Sequence, residues 1–270
     1  MPRAADTPPR ALTIAGSDSG GGAGIQADLA TFAALGVWGM SAITSITVQN
    51  TEGVHGVSDV PADIVAAQVR AVADDIGVDA AKTGMLSSTA IVEAVADAVG
   101  ASSIRTLVVD PVFVSKHGHP LLRPDAVASL RSRLLPLATL VTPNLPEAAG
   151  LAGFEVVTRV DMEAAAEAIL ALGARAVLVK GGHLPPGEPA VDLFAREGQA
   201  EWLGSERIDT VDTHGTGCVL SAAITAYLAR GESLDTAVAN GKTFVTEAIA
   251  HALRIGRGIG PVDPGWRSRG

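Results

Sequence analysis

The feature that most constrains this chain is a steady alternation of short apolar runs with longer segments that have the length and composition of helices. Glycine, proline or polar residues separate the two kinds of segment. The predicted strands are 11–15, 40–48, 80–83, 106–109, 140–142 and 176–180, with two or three short strands between 192 and 211. The predicted helices are 25–35, 61–76, 124–135, 161–172 (capped by Asp161), 219–229 and 233–254, with one more that Ser87 or Ser88 caps and that ends at Gly100. This order predicts an α/β fold in which helices cover both faces of a mostly parallel sheet, a three-layer α/β/α sandwich.

The composition is typical of one globular domain. The chain has 270 residues, of which 47% are hydrophobic and 18% charged, and no linker, repeat or low-complexity stretch divides it. We therefore predict a single domain over residues 11–270, preceded by a disordered, proline-rich tail over 1–10. The net charge of −9 argues against a nucleic-acid partner, and no apolar run approaches the ~18 residues needed to span a membrane. The one cysteine excludes an internal disulfide and, with no signal peptide in the sequence, predicts a cytoplasmic location.

A glycine-rich motif, DTHGTGC at 212–218, stands directly before the predicted helix 219–229. The first backbone N–H groups of a helix lack partners, and the helix dipole is positive there. Gly215, Thr216 and Gly217 would let those groups approach a phosphate closely. The functional interpretation is an anion hole for a phosphoryl group in transfer, and the alternative is an ordinary turn that begins a buried helix. The spacing alone does not separate the two.

Cys218 ends this motif. A position at a helix N-terminus is expected to lower the pKa of the thiol and to give it thiolate character, so that it could take a proton from a substrate hydroxyl. The alternative is a small buried apolar residue, which is the commoner fate of a lone cysteine.

Residues able to contact a ligand recur where the predicted strands end, the edge at which ligands bind in parallel sheets. They are Asp18, Gln49, Met85, Asp110, Asn144, Glu147 and Lys180. Asp110 and Glu147 could hold Mg²⁺, which prefers oxygen ligands and needs only one or two carboxylates; each could instead cap a neighbouring loop. Lys180 could reach a phosphate or emerge into solvent.

Two of these residues suit a flat heterocycle. Gln49 offers a donor and an acceptor, which matches the edge of an aminopyrimidine or a similar ring; the alternative is a loop glutamine in water. Met85 could pack on a flat ring, although packing in the core is the commoner role for methionine.

A competing motif lies at 22–27 (GAGIQA), which matches the dinucleotide fingerprint G-x-G-x-x-A between a strand and a helix. The loop that leads to it is longer than a tight Rossmann turn. The next strand ends in Gln49 and Asn50, with no acid to hold a ribose. A dehydrogenase is therefore a secondary hypothesis.

Eight motifs, in order along nearly the whole chain, carry a resemblance to a known family. They are 11–28 (ALTIAGSDSGGGAGIQAD), 47–51 (TVQNT), 82–86 (KTGML), 108–112 (VVDPV), 142–147 (TPNLPE), 179–184 (VKGGHL), 212–218 (DTHGTGC) and 258–262 (GIGPV). In this combination the chain resembles the hydroxymethylpyrimidine/phosphomethylpyrimidine kinases of thiamine biosynthesis, which belong to the ribokinase-like superfamily. The resemblance implies a ribokinase-like three-layer α/β/α sandwich, in agreement with the alternation above.

The resemblance also implies an activity and a set of site residues. The expected reaction is ATP- and Mg²⁺-dependent phosphorylation of 4-amino-5-hydroxymethyl-2-methylpyrimidine, followed by phosphorylation of the monophosphate. Gln49 would bind the pyrimidine edge, in a pocket lined by Gly16, Asp28 and Met85. Asp110 and Glu147 would lie at the magnesium region with Asn144, Lys180 would lie near the ATP phosphates, and Gly215, Thr216, Gly217 and Cys218 would form the anion hole. A homodimer is implied as well.

The chain departs from the family pattern at three positions. Gly21 stands where a serine is expected, Phe113 where a methionine is usual, and His117 where a small polar residue is common. The wider superfamily commonly has an aspartate base where this chain has Cys218, and the cysteine is similar to the pyrimidine and pyridoxal branch of that superfamily. Residues 116–120 and 185–189 are candidates for loops that close over the site.

Two further functions stay open from the sequence. A pyridoxal kinase of the same branch would act on a hydroxymethyl heterocycle of similar size. A non-catalytic ligand-binding relative is the alternative from another class, and the joint presence of Asp110, Glu147, Lys180 and the 215–218 loop argues against it.

Overall fold

The computed structural model describes residues 7–182, 184, 190–205 and 207–269. Within them runs a nine-stranded sheet with the order β3-β2-β1-β4-β5-β6-β7-β8-β9. The strands are β1 (Arg10–Ser17), β2 (Trp38–Asn50), β3 (Gly53–Asp59), β4 (Ala80–Thr83), β5 (Leu107–Val109), β6 (Leu140–Val141), β7 (Ala176–Val179), β8 (Ala190–Arg196) and β9 (Gln199–Ser205). Six neighbouring strands are parallel to one another: β2, β1, β4, β5, β6 and β7. Antiparallel pairing joins β3 to β2, β8 to β7 and β9 to β8.

Eight α-helices cover this sheet in the described part of the chain. They are α1 (Gly24–Ala34), α2 (Ala62–Asp75), α3 (Thr89–Ala101), α4 (Ala126–Ser129), α5 (Leu145–Ala152), α6 (Arg159–Ala171), α7 (Thr216–Ala229) and α8 (Leu234–Ala250). Helices α2 to α6 pack on one face, and α1, α7 and α8 pack on the other. Within the residues described, no helix combines the length and apolar character needed to cross a bilayer.

The two hydrophobic cores follow from the period of a β-strand, whose successive side chains point to opposite faces. Leu107 and Val109 of β5 join the core under α2 to α6, whereas Val108 joins the core under α1, α7 and α8. Val177 and Leu178 of β7 are divided between the two cores in the same way. The predicted three-layer α/β/α sandwich with a mostly parallel sheet is confirmed.

Two elements were not predicted. Strand β3 pairs with β2 across a tight turn, and most of its residues are exposed, so it lacks an apolar run. Helix α5 follows directly on β6 because Asn144 and Glu147 form a capping box: the Asn144 side chain accepts from the Glu147 N–H, and the Glu147 carboxylate accepts from the Asn144 N–H. The sequence pattern predicts only a polar strand end at this segment.

Several predicted boundaries were wrong. Thr158, not Asp161, is the N-cap of α6, and Asp161 completes its capping box from the third helical position. Helix α8 starts after Ser233 as predicted but ends at Ala250. The segment predicted as the helix 124–135 has only one regular α-helical turn, α4. A π-helical turn (Leu130–Leu134) and a 3-10 turn (Leu135–Leu137) follow it. Strand β1 begins at Arg10, whose side chain pairs with Asp79.

Candidate active site

A cavity of about 720 Å³ opens at the edge where the parallel strands end. Segments at the carboxyl ends of β1, β2, β4, β5, β6 and β7 line it, together with the first residues of α7. The predicted site residues on its wall are Gly16, Gln49, Met85, Asp110, Asn144, Glu147, Lys180, Gly215, Thr216, Gly217 and Cys218. The exception is Asp28, which is buried behind the wall.

Two glycine-rich loops pack against each other at one end of the cavity. Gly215 has a φ of 80°, a left-handed conformation that favours glycine. A Cβ atom at Gly215 would overlap the carbonyl oxygen of Gly22, and a Cβ atom at Gly22 would overlap the ring of His214. The first glycine of the GAGIQA motif is therefore needed for contact with the chain's own 212–218 loop, which gives that motif a reason other than dinucleotide binding.

Asp18 and His214 hold these two loops together. The Asp18 carboxylate accepts from the backbone N–H groups of Gly20 (2.8 Å), Gly22 (3.1 Å) and Ala23 (2.9 Å). The Nε2 atom of His214 lies 2.8 Å from Asp18 Oδ2. Burial opposes ionisation, but His214 and the loop N–H groups hold the pKa of Asp18 below its usual value. No role was predicted for His214, although its place inside the DTHGTGC motif was a usable signal.

The start of α7 has the geometry expected of an anion site. Gly215 is the N-cap, and none of the side chains that the structure describes caps this helix end. The Thr216 hydroxyl instead donates to the Thr213 carbonyl at 2.8 Å. The N–H groups of the first helical turn therefore have no side-chain acceptor and suit a phosphate.

Cys218 does not have the lowered pKa that its position predicted. Burial raises the pKa of the thiol to about 12, against the opposing effect of the Lys82 ammonium, while Asp28 and Asp110 raise it further. The N–H of Gly24 hydrogen-bonds the sulfur and favours the thiolate, but not enough to offset burial. At neutral pH the thiol is protonated, because desolvation outweighs the helix N-terminus here.

Asp110 and Lys180 form the charged centre of the cavity. Lys180 Nζ lies 3.1 Å from Asp110 Oδ1, and the hydroxyls of Thr142 (3.1 Å) and Ser221 (3.2 Å) also donate to this carboxylate. Burial opposes the charge, but Lys180 and Lys82 hold the pKa of Asp110 below its usual value. Burial likewise opposes the Lys180 charge, yet its carboxylate neighbours raise its pKa. Both groups are therefore charged.

Glu147 lies beside this pair. Its Oε2 atom accepts from the Asn144 N–H at 2.8 Å and lies 3.9 Å from Lys180 Nζ. Burial raises the pKa of Glu147 to about 7, with a further increase from Asp110 and an opposing effect of Lys180. Capping, the alternative considered from the sequence, is thus part of what this side chain does.

The carboxylates nevertheless fit a magnesium ion. The described residues contain no cluster of three or more histidine, cysteine, aspartate or glutamate side chains that could hold a metal by themselves. Magnesium usually needs only one or two carboxylates, with phosphate oxygens and water completing its shell. Asp110 and Glu147 are both buried close to Lys180, and a bound cation would oppose the burial that raises the pKa of Glu147.

Replacing Glu147 by glutamine should flatten the pH dependence of stability between about pH 5 and 7. The folded-state pKa, about 7, lies above the ordinary value of 4.5, so the folded chain binds this proton more tightly than the unfolded chain. The wild type should lose stability as the pH rises through this window, by on the order of 1–3 kcal/mol. Glutamine keeps the capping hydrogen bond without the charge. Urea unfolding of both proteins in EDTA, repeated between pH 5 and 7, measures the free energy of unfolding at each pH. An equal change of this free energy with pH in the two proteins would contradict the prediction.

Gly16, Gln49 and Met85, the residues predicted to bind a heterocycle, all line the cavity. A Cβ atom at Gly16 would lie 3.1 Å from the Met85 sulfur, so the absence of a side chain at Gly16 leaves room beside Met85. The Thr47 hydroxyl donates to Gln49 Oε1 at 3.2 Å, and Gln49 Nε2 lies 3.5 Å from His214 Nε2. Gln49 belongs to β2 and lines the cavity, so it is not a loop glutamine in water.

Lys82 was missed by the sequence prediction. Its side chain is fully buried, lines the cavity, and lies 2.9 and 3.0 Å from the two oxygens of Asp28. The Thr13 hydroxyl also donates to Asp28, at 2.6 Å. Burial opposes the Lys82 charge, but the carboxylates of Asp28 and Asp110 raise its pKa. Asp28 thus acts on the site through Lys82, and a lysine inside the apolar strand 80–83 was the available signal.

The three departures from the family pattern have different surroundings. Gly21 has a φ of 80° and donates to the Asp18 carbonyl, so it forms a turn in the first loop. Phe113 packs against α5, where a Cβ atom at Gly150 would overlap its ring. His117 lies in the tight loop 113–121, which we call the flap. Of the two predicted closing loops, 116–120 belongs to the flap, and 185–189 lies outside the described residues.

This sheet, with a helix start that no described side chain caps and a lysine at its carboxyl edge, has the fold and the cavity expected of a ribokinase-like small-molecule kinase. The family model described as "Phosphomethylpyrimidine kinase" matches residues 18–263. The chain belongs to the phosphomethylpyrimidine kinase family.

Individual relatives cover most of the chain. A hydroxymethylpyrimidine/phosphomethylpyrimidine kinase from Streptomyces coelicolor is 53% identical over 260 residues, which are 96% of each chain. An ADP complex of Bacillus subtilis pyridoxal kinase has a TM-score of 0.90 at 44% identity, covering 97% of this chain and 99% of the other. A phosphomethylpyrimidine kinase structure from Clostridium difficile has a TM-score of 0.79 at 47% identity, covering 89% of this chain and 99% of the other.

Proposed function

We propose that this protein is an ATP-dependent kinase of thiamine biosynthesis that phosphorylates 4-amino-5-hydroxymethyl-2-methylpyrimidine and then its monophosphate. The observation that carries the proposal is one cavity, in a member of this family, that joins the Gln49 pocket to Lys180 and the anion-binding start of α7. A cytoplasmic location, where ATP is at hand, is part of the same proposal.

In this proposal the pyrimidine ring and the ATP phosphates bind to different parts of the cavity. Gln49 hydrogen-bonds the pyrimidine edge while Gly16 and Met85 shape the space for the ring. The acceptor hydroxyl then faces Cys218, whose protonated thiol orients it; phosphoryl transfer relies mainly on positioning and charge stabilisation, so a strong base is not required.

The transferred phosphoryl group lies next to this hydroxyl, at the start of α7. The N–H groups at the start of α7, from Thr216 to Cys218, stabilise its developing charge, and Lys180 neutralises the ATP phosphates. Asp110 and Glu147, with Asn144 beside them, would hold Mg²⁺. When bound, Mg²⁺ neutralises phosphate charge. Gly217 suits this position because a Cβ atom there would lie 3.3 Å from Lys180 Nζ.

Incubation with ATP, Mg²⁺ and hydroxymethylpyrimidine, followed by mass spectrometry, tests the function. The expected products are the monophosphate and then the diphosphate. Formation of the monophosphate alone would mean that the enzyme catalyses only the first step. If no alcohol gave any product, the non-catalytic ligand-binding alternative would be favoured.

Pyridoxal belongs in a parallel tube, because the TM-score of 0.90 to a pyridoxal kinase favours that second candidate function. Product from pyridoxal alone would move the assignment to a pyridoxal kinase. If both alcohols gave product, their kcat/KM values would show which is the better substrate.

We also propose a homodimer formed through the outer face of the β2–β3 hairpin. Ile46 and Val48 are 55% and 62% exposed, and Gly56, opposite Val48, adds no side chain to this face. A flat apolar patch at a sheet edge suits the symmetric interface of two copies. Sedimentation should give twice the chain mass for the wild type and a monomer for Ile46→Lys. Val160→Lys, at an exposed valine on α6, is the matched control and should stay dimeric; a monomeric wild type would contradict the proposal.

A further inference from the structure

His117 carries an unmet hydrogen-bonding requirement in the flap. Both of its ring nitrogens are buried, and neither has a hydrogen-bond partner. A buried polar group without a partner costs free energy, because it has given up its water and gained nothing in return. A ligand that supplies the missing partner would remove this cost.

The flap holds His117 in a defined place. The Ser115 N–H donates to the His119 carbonyl at 2.8 Å, and the Gly118 N–H donates to the Ser115 carbonyl at 2.9 Å. Gly118 has a φ of 80°, which closes the turn directly after His117. The position of this imidazole is therefore set by a hydrogen-bonded turn.

The imidazole stands beside the cavity wall. The ring centroids of His117 and His214 are 6.3 Å apart, with the rings tilted by 51°, which is within the range of aromatic contact. His214 lines the cavity next to Gln49, and Ser115 and Lys116 of the flap line it too. His117 thus lies in the part of the flap that packs beside His214.

The surrounding charges select the ligand. Lys116 lines the cavity from the same turn, and burial lowers the pKa of its ammonium, a shift that a bound anion would oppose. An imidazole N–H and an ammonium together suit the oxygens of a phosphate. The two substrates of the proposed function differ by one phosphate, which only the second carries.

We propose that His117 is a specificity-determining residue that binds the phosphate of the monophosphate substrate and so supports the second phosphorylation selectively. This inference rests on the proposed function. Where the family commonly has a small polar residue, the imidazole of this chain gives the flap a longer donor.

The test compares His117→Ser with His119→Ser, an exposed histidine two residues along the same flap. His117→Ser should lower kcat/KM for phosphomethylpyrimidine by roughly 10- to 100-fold, the effect of losing one hydrogen bond to a charged group. It should leave kcat/KM for hydroxymethylpyrimidine and KM for ATP within about twofold, and His119→Ser should change none of the three. Equal losses on both pyrimidines, no loss on either, or a raised KM for ATP alone would each overturn the inference, the last by assigning His117 to the ATP phosphates.

A binding measurement separates this inference from the proposed function. Calorimetric titration of the wild type and His117→Ser with phosphomethylpyrimidine needs no turnover. A wild type that turns over neither pyrimidine would defeat the proposed function, and the inference would still stand or fall on a roughly 10-fold or larger rise in Kd for the variant. An unchanged Kd, in a variant whose thermal unfolding matches the wild type, would overturn it.

Discussion

Cys218→Ala should lower kcat roughly 10²–10³-fold while leaving the fold intact. This is the usual effect of removing one preorganised polar group that positions or stabilises the reacting atoms. Cys218 is half-buried at the start of α7, next to the N–H groups proposed to hold the transferred phosphoryl group. Steady-state turnover on hydroxymethylpyrimidine, with thermal unfolding as a check on the fold, measures the effect.

Cys218→Ser distinguishes the two roles open to this residue. Because burial raises the pKa of the thiol to about 12, we expect the neutral thiol to orient the substrate hydroxyl, and a serine hydroxyl can do the same. Cys218→Ser should therefore keep kcat within about tenfold of the wild type. A serine variant as slow as the alanine variant would identify a thiolate base instead. Near wild-type turnover in Cys218→Ala would remove the residue from the mechanism.

The fold could be predicted because its signals are local and repeated. Most strands at the centre of the sheet are apolar runs, and the alternation of these runs with helices predicts a parallel sheet between two helical layers. Strand β3 was not predicted because it lies at the sheet edge, where only one of its residues is buried. Its pairing comes from the turn after Asn50, whose side chain accepts from the N–H groups of Glu52 and Gly53.

The candidate site was predicted as far as the sheet topology determines it. Strand ends gather at one edge, so Asp110 and Lys180 could be expected to lie together before any contact between them was known. What the sequence could not supply was the balance of charge and burial. The pKa of Cys218 depends on Lys82, Asp28 and desolvation, which are contributed by separate elements. Similarly, Asp28 meets Lys82 across 54 positions of sequence.

Lys82→Met should destabilise the protein by about 3–5 kcal/mol, the typical cost of leaving one member of a buried ion pair uncompensated. Both side chains of the Lys82–Asp28 pair have no solvent exposure, so the Asp28 carboxylate could not be solvated in place of its partner. Only the Thr13 hydroxyl would remain as a described hydrogen-bond donor to it. Urea unfolding, read as the change in transition midpoint at constant slope, measures the loss.

Two companion variants show whether the lone charge is the cause. Lys82→Met combined with Asp28→Asn should recover most of the lost stability, since the amide oxygen can still accept from Thr13 and no charge stays buried. Arg133→Met breaks the exposed Arg133–Asp97 pair and should change stability by no more than about 1 kcal/mol. If the double variant were as unstable as Lys82→Met, the destabilisation would come from lost packing of the lysine chain and not from the Asp28 charge. If it regained stability without regaining turnover, the Lys82 ammonium would be required for the reaction as well as for the fold, because Lys82 is a buried cation on the cavity wall beside Cys218.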